Sequence, residues 1–377
     1  MRLRIHPWLL FGLALALAGC SAPLPLPPPD PSTLEDPNAF QGNAAWGHLE
    51  ALAAIGPREM ATPGSAQARE YISGQLQALG LEVVEQSVPA RHSSGDPLTL
   101  HNVAASVPGE STDLLLIVAP YDTRSFDGFE NLGINDGGSG VAVNLELARL
   151  IAAKPLPYTT WFVFLEGEQE APGDTEAGHA GIQGLVGLLR ERAALEQVRL
   201  VLLVNRVCDP DLHIARDLGS HRVYREEFFR AAKRLGLEAA FDPHAGFEAP
   251  DEGQDQLIFV GLNRVVVLAD TSFGGDEPPG PFADTANDDL DHCAAGSLDT
   301  VGQVMLEGLS SISRRLRRID RFVESPIGTT EALRLEHIQE SEAESQADPS
   351  EIEAAPDAEA PPEGGGSDAA PESQEAP

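Results

Sequence analysis

Four groups of polar residues stand directly behind four apolar runs in this 377-residue chain. Pro120, Tyr121 and Asp122 follow LLLIVA, and Glu166, Glu168 and Gln169 follow TTWFVFL. Asn205, Arg206 and Cys208 follow VRLVLLV, while Asp270 and the loop PPGPFADTANDDLDHC follow RVVVLA. Between the first two runs lies LGINDGGSGVAVNLELARL, where one acid, Asp136, stands among glycines at the mouth of a stretch that is apolar almost all round. Glycine admits the tight backbone path such a loop needs, so the acid is placed to hold something. A single loop acid is usually only solvated, whereas four coincident clusters read as the polar groups of one binding cleft.

The elements that must position these groups are legible from periodicity. The runs from Leu114, Thr159, Val198 and Arg264 do not alternate, so each reads as a strand buried on both faces, as in a parallel sheet covered by helices. Helical patterns separate them over Ser139 to Lys154, Ala177 to Ala193 and His221 to Gly236, with a last one from Ala294 to Leu316. Two more helical patterns lie between Asn43 and Gly80, closed by Gly56 and Gly80 as C-terminal caps. They are followed by the shorter extended stretches LEVVEQSV and HNVAASV. This alternation predicts an α/β fold, a three-layer sandwich with a mainly parallel central sheet. Such a sheet binds its ligand beyond the carboxyl ends of its strands, which is where the four polar groups stand.

The two ends of the chain read differently. Arg2 and Arg4 precede WLLFGLALALA and then LAGC, Leu17 to Cys20. That apolar core is too short to cross a bilayer and ends in small residues, which predicts a signal peptide over residues 1–19. LAGC resembles a bacterial lipobox, implying acylation of Cys20 and tethering to a membrane by acyl chains. Ser21 after the cysteine favours the outer membrane of a bacterial cell envelope. Residues 20–40, with SAPLPLPPPDPS, read as a Pro-rich stalk. Residues 339–377 hold twelve Asp or Glu and no Lys or Arg, which predicts an acidic disordered tail. With a formal net charge of −34, acidic even without that tail, the surface at large is a poor partner for nucleic acid or anionic lipid. Cys208 and Cys293 are left for an oxidising compartment, where a disulfide is open to them. Neither has the spacing of a zinc site.

Six segments, in order, resemble the zinc aminopeptidases of metallopeptidase clan MH, in the branch that contains bacterial and animal glutaminyl cyclases. IGPREMATPGSAQAREYISGQLQALGLEV looks like that family's opening segment, GINDGGSGVAVNLELAR like its Ala-Asn-Asp-Gly-Ala-Ser-Gly-Val segment, and FLEGEQE like Asp-Gly-Glu-Glu. NRVCDPDLHI is similar to Asp-Met-Val-Gly-Asp, DQLIF to Asp-His-Ile-Pro-Phe, and ADTANDDLDHCAAGSLDTVG to the ending that begins His-Thr. The resemblance covers Asn43 to Leu316 and implies a zinc-exopeptidase-like domain over residues 41–320. It also implies zinc, and either removal of amino-terminal residues or cyclisation of amino-terminal glutamine.

The same resemblance shows where this chain departs. The family's first histidine ligand falls on Pro120, which offers no lone pair to a metal. The bridging aspartate falls on Asp136, and the general base on Glu168. The glutamate ligand falls on Gln169, a weaker donor to zinc. The aspartate after the third strand falls on Asn205 and the closing histidine on Asp284. Among the five ligand positions only Asp136 is unchanged. Asp122, Asp255 and Arg206 stand behind these positions; Arg206 is expected either to neutralise Asp136 or to point to solvent. His179, His213, His221, His244 and His292 fall on no ligand position, with His292 the nearest candidate for a displaced ligand.

Loss of every imidazole predicts no zinc and no acidified water. The expectation is a catalytically impaired pseudoenzyme, without cofactor, that binds a peptide or an envelope protein through the old cleft. Two alternatives stay open: a working aminopeptidase or glutaminyl cyclase with a rebuilt metal site, or an oxygen-only site of Asp136, Asp284, Gln169 and Asn205 for calcium or magnesium. Whether the chain is an enzyme is not decided by the sequence. A further possibility makes the acidic tail the working part, binding basic partners or cations.

Overall fold

Alternate residues of the run after Asp113 face two different cores, which is why the run has no alternation of its own. Leu115, Ile117 and Ala119 join one apolar cluster, and Leu114, Leu116 and Val118 join another. The computed structural model describes residues 39–91, 95–169, 179–247, 257 and 261–324. The signal peptide, Cys20, most of the stalk, the acidic tail and Asp255 lie outside the described residues.

In chain order the elements are α1 (Gly42–Ile55), α2 (Pro63–Ala78), β1 (Val83–Arg91), β2 (Pro97–Val107), β3 (Ser111–Pro120), α3 (Gly140–Ala153) and β4 (Tyr158–Leu165). They continue with α4 (Ala180–Glu191), β5 (Val198–Val204), β6 (Ile214–Asp217), α5 (Arg222–Leu235), β7 (Phe241–Phe247), β8 (Val265–Leu268) and α6 (Ala295–Glu324). The main sheet has the order β1-β2-β4-β3-β5-β8. β4, β3, β5 and β8 run parallel, and β2 joins them antiparallel with β1 at the edge. α1, α2, α3, α5 and α6 contribute to the core on one face, and α4 packs on the other. This is the three-layer α/β sandwich the sequence predicts.

α3 explains the stretch that is apolar all round. It lies against both α1 and β3, and every residue from Gly140 to Ile151 is buried. A helix enclosed on all sides keeps no polar face. Asn144, Glu146 and Arg149 are the exceptions; the last two satisfy each other, with Arg149 Nε donating to Glu146 Oε2 at 2.7 Å. α1 and α2 end at Gly56 and near Gly80, both with positive φ, the conformation a C-terminal glycine allows.

Two features were not foreseen. α6 runs eight residues past Leu316 to Glu324, because RRIDRFVE holds no Gly or Pro to stop it. β6 and β7 form a separate two-stranded sheet; four residues of IARD are too few to show a period. The compact unit that contains the sheet ends at Arg318, and the chain from Ile319 forms a second unit. Cys208 and Cys293, 85 residues apart, are joined in a disulfide. It fastens the loop after β5 to the start of α6. Among the described residues no helix is long and apolar enough to cross a membrane.

Candidate functional site

The carboxyl ends of β3, β4 and β5 are tied together by buried polar side chains. Arg58, fully buried, donates from Nε to the carbonyl of Tyr121 at 2.8 Å. Its two terminal nitrogens reach the carbonyls of Leu132 and Gly133, each at 2.8 Å. One guanidinium therefore fixes both ends of the loop that leaves β3. Asp122, also fully buried, accepts from the amides of Gly167 at 3.0 Å, Glu168 at 3.2 Å and Gln169 at 3.1 Å, which locks the end of β4 to the end of β3. Burial pushes the Asp122 carboxyl up to about 7 against the pull of the Gln169 amide, and Glu168 and Glu166 push the same way.

Asp136, with non-helical backbone angles of φ −93° and ψ 107°, sits in a kinked turn, Asn135–Ser139, that leads into α3. Gly137 has φ +88°, and a Cβ there would lie 2.1 Å from the Asp122 carbonyl oxygen, so both backbone angle and space require glycine. Asp288 holds the turn from the far side, accepting from the amides of Asn135 at 2.5 Å and Asp136 at 3.2 Å. Burial lifts its carboxyl to about 7, opposed by the Asn135 amide.

The partners of the Asp136 carboxylate are protein groups. Gln169 Nε2 donates to Oδ1 at 2.5 Å, and Asn205 Nδ2 donates to the same oxygen at 2.7 Å. Arg206 Nη1 lies 3.9 Å from Oδ2. Of the two placements open to Arg206, this is the one beside Asp136, at the outer limit of an ion pair. The orientation of Asn205 is fixed independently, because its Oδ1 accepts from the amides of Gly137 and Arg206, both at 3.0 Å. Its nitrogen is thus the atom that faces Asp136.

The other family positions are placed apart from this cluster or are otherwise engaged. Asp284, with φ +57°, accepts both oxygens' bonds from Arg124 Nη1, at 2.9 and 2.8 Å. Glu168 accepts the amide of Ile182, in the first turn of α4, at 2.8 Å and faces His179 Nδ1 at 3.0 Å. His179 is the residue that precedes α4. Pro120 is buried at the end of β3 and borders a cavity of about 20 Å³ with Leu165, Glu168, His179, Leu203 and Asn205, room for about one water. Glu166 accepts from the amides of Ala61 at 2.9 Å and His101 at 2.7 Å and from the Ser65 hydroxyl, so it anchors the entry to α2. His292 pairs with Asp289 at 2.8 Å, and His221 caps α5.

The donors do not suit zinc. Among the described residues no group of three or more His, Cys, Asp or Glu converges on a point that could hold a metal ion. At the family's positions there stand one carboxylate already hydrogen-bonded, two amides and a proline, and both oxygens of the fifth, Asp284, accept from Arg124 Nη1. Zinc sites are built from imidazole, thiolate and carboxylate at fixed geometry. Arg58, Arg124 and Asp288, which organise this region, were not singled out in the sequence. Each acts on a partner more than sixty residues away, mostly on backbone, and leaves no periodic signal.

Comparison with known proteins agrees with this geometry. A sequence model described as peptidase family M28 matches residues 102–309. A glutaminyl cyclase from an Acidobacteriales bacterium superimposes with a TM-score of 0.67 at 26% identity, covering 73% of this chain and 96% of that one. A leucine aminopeptidase precursor from Bacteroides thetaiotaomicron gives 0.62 at 24%, covering 72% and 97%. A Zn-dependent exopeptidase from Parabacteroides distasonis gives 0.62 at 20%, covering 72% and 98%. The last two identities speak to the fold alone. Because the family match spans more than half of the chain and includes the Asp136 turn, Glu168 and Asn205, the protein belongs to peptidase family M28.

Proposed function

We propose that this is a lipid-anchored envelope protein whose M28 domain has given up metal-dependent chemistry and uses the old cleft to hold a peptide or another envelope protein. The observation that carries the proposal is the set of partners around Asp136: two side-chain amides and a guanidinium stand where the family places metal and metal ligands. A zinc ion competing for Asp136 would have to displace those donors and would gain no imidazole in return. Glu168, in the position of the family's general base, is engaged by the Ile182 amide and His179. What the strand ends keep is a set of polar groups, which is part of the equipment of a binding site. The LAGC segment supports the lipid anchor at Cys20.

The test is elemental analysis of the purified protein followed by zinc titration calorimetry, with aminoacyl and glutaminyl peptides as substrates. The expected result is no stoichiometric zinc and no turnover. Tight stoichiometric zinc together with turnover would sink the pseudoenzyme and leave an active member with a rebuilt site. Calcium or magnesium binding in the same titration would point to the oxygen-only site. For the anchor, Cys20→Ala is expected to abolish incorporation of labelled fatty acid into the protein.

A further inference from the structure

The face formed by α5 and the last turns of α6 up to Arg318 has a charge opposite to that of the molecule as a whole. Residues 222–234 and 314–318 hold nine of the chain's 25 Lys and Arg, with only Glu226 and Glu227 between them, in a chain of net charge −34; Arg225 is buried and Arg317 pairs with exposed Glu110, so the others carry the face. The two helices are joined by shared carboxylates. Glu227 takes Arg230 at 3.0 Å and Arg315 at 3.4 Å. Glu307 takes Arg234 at 2.7 Å and Arg314 at 3.8 Å. The depths differ: the two carboxylate side chains are 7% and 17% exposed, while the four arginines are 41% to 64% exposed. The acids lie beneath and the guanidiniums on top, two to each carboxylate, so the outer layer keeps an excess of positive charge. Lys233 is exposed beside them.

Two exposed apolar side chains lie at the start of α5. Val223, 37% exposed, lies on the α5 stripe that continues through Glu227, Arg230 and Arg234. Leu218, 59% exposed, is in the turn before α5. An acidic protein segment would use the guanidiniums but gives no reason for exposed Leu218 and Val223. A bilayer surface uses both, phosphates against the arginines and acyl chains against the apolar side chains.

We infer that this face docks onto the anionic headgroups of a lipid bilayer. The remaining acidic surface does not prevent this, since charges beyond about 8 Å are largely screened at physiological ionic strength. The inference is independent of both the cleft and acylation at Cys20.

The test uses the chain from Ser21 to Pro377, which lacks the acylated cysteine, in co-sedimentation with vesicles. One set is phosphatidylcholine alone and the other phosphatidylcholine mixed with phosphatidylglycerol. Binding to the mixed vesicles at physiological ionic strength, release at high salt and no binding to phosphatidylcholine alone are expected. Replacing Arg230, Lys233 and Arg314 together by Gln should weaken binding roughly a hundredfold, at about fivefold per basic residue. An unchanged thermal midpoint shows that this variant is folded. L218S/V223S should weaken binding while leaving its salt dependence intact. Failure to bind the mixed vesicles, equal binding to neutral ones, or an unweakened folded triple variant would each overturn the inference. Capture by poly-glutamate without vesicle binding would overturn it in favour of an acidic protein partner.

Discussion

Asn205 donates its side-chain amide to Asp136 at 2.7 Å while two backbone amides hold its oxygen away. The residue is therefore committed as a donor to the one acid that the family's ligand set keeps here. Asn205→Asp removes that donor and places a second carboxylate against the first. Without metal the change should lower stability by about 1–3 kcal/mol, the range for a buried polar group left unsatisfied. The check is urea denaturation with and without zinc. Loss of stability that zinc does not restore is expected; full recovery on adding zinc would show that the remaining residues still form a metal site.

The Arg58 guanidinium serves three carbonyls on two sides of the loop after β3, and burial lowers its pKa only to about 10, so it stays charged. Arg58→Met would orphan the carbonyls of Tyr121, Leu132 and Gly133 and should cost roughly 3–5 kcal/mol. Arg58→Lys should rescue little, because an ammonium cannot reproduce the planar fork. Chemical denaturation of the two variants decides this, and a Lys variant of native stability would show that charge alone suffices.

What the sequence made legible follows from periodicity. The run from Leu114 and the stretch from Gly140 are apolar without a face because one sits in a two-sided sheet and the other between α1 and that sheet. Asp136 was visible because its glycines are needed, as Gly137 shows. The pairing of Asp284 with Arg124 was not visible, since nothing in a pattern of apolar residues records which charged side chains meet 160 residues apart. The same holds for Glu168, whose bond to the Ile182 amide depends on the path taken between β4 and α4. α5 illustrates the opposite case, because His221 and Gly236 mark its limits in sequence and serve as its caps in space.

The disulfide between Cys208 and Cys293 supports the Asp136 turn as well as the fold, because the Cys208 amide donates to Asn135 Oδ1 at 3.0 Å. A loop of this length closed by a disulfide stabilises by about 4 kcal/mol. C208S/C293S should therefore lower the thermal midpoint markedly. Both sulfurs are buried, so mild reductant should leave the native protein oxidised and act only once it is unfolded. Thiol titration under native and denaturing conditions separates the two, and ready reduction of the native protein would contradict the burial.

Asp122 and Asp288 make stability depend on pH in a direction unusual for carboxylates. Burial raises both from an ordinary value near 3.8 to about 7. The folded state therefore holds protons that the unfolded chain has released. The stabilisation from holding them is complete below about pH 4 and is lost as pH rises through 7. Each group contributes about 1 kcal/mol per pH unit within that window. Urea midpoints should fall between pH 5 and pH 8. Repulsion among the many other acids has the same sign, so the comparison with Asp288→Asn is the decisive one. Asn keeps an oxygen for the Asn135 amide but cannot ionise, and its profile should be flatter than that of the parent. Equal slopes would mean that Asp288 already ionises in the folded state at an ordinary pH, and that its burial does not hold the proton.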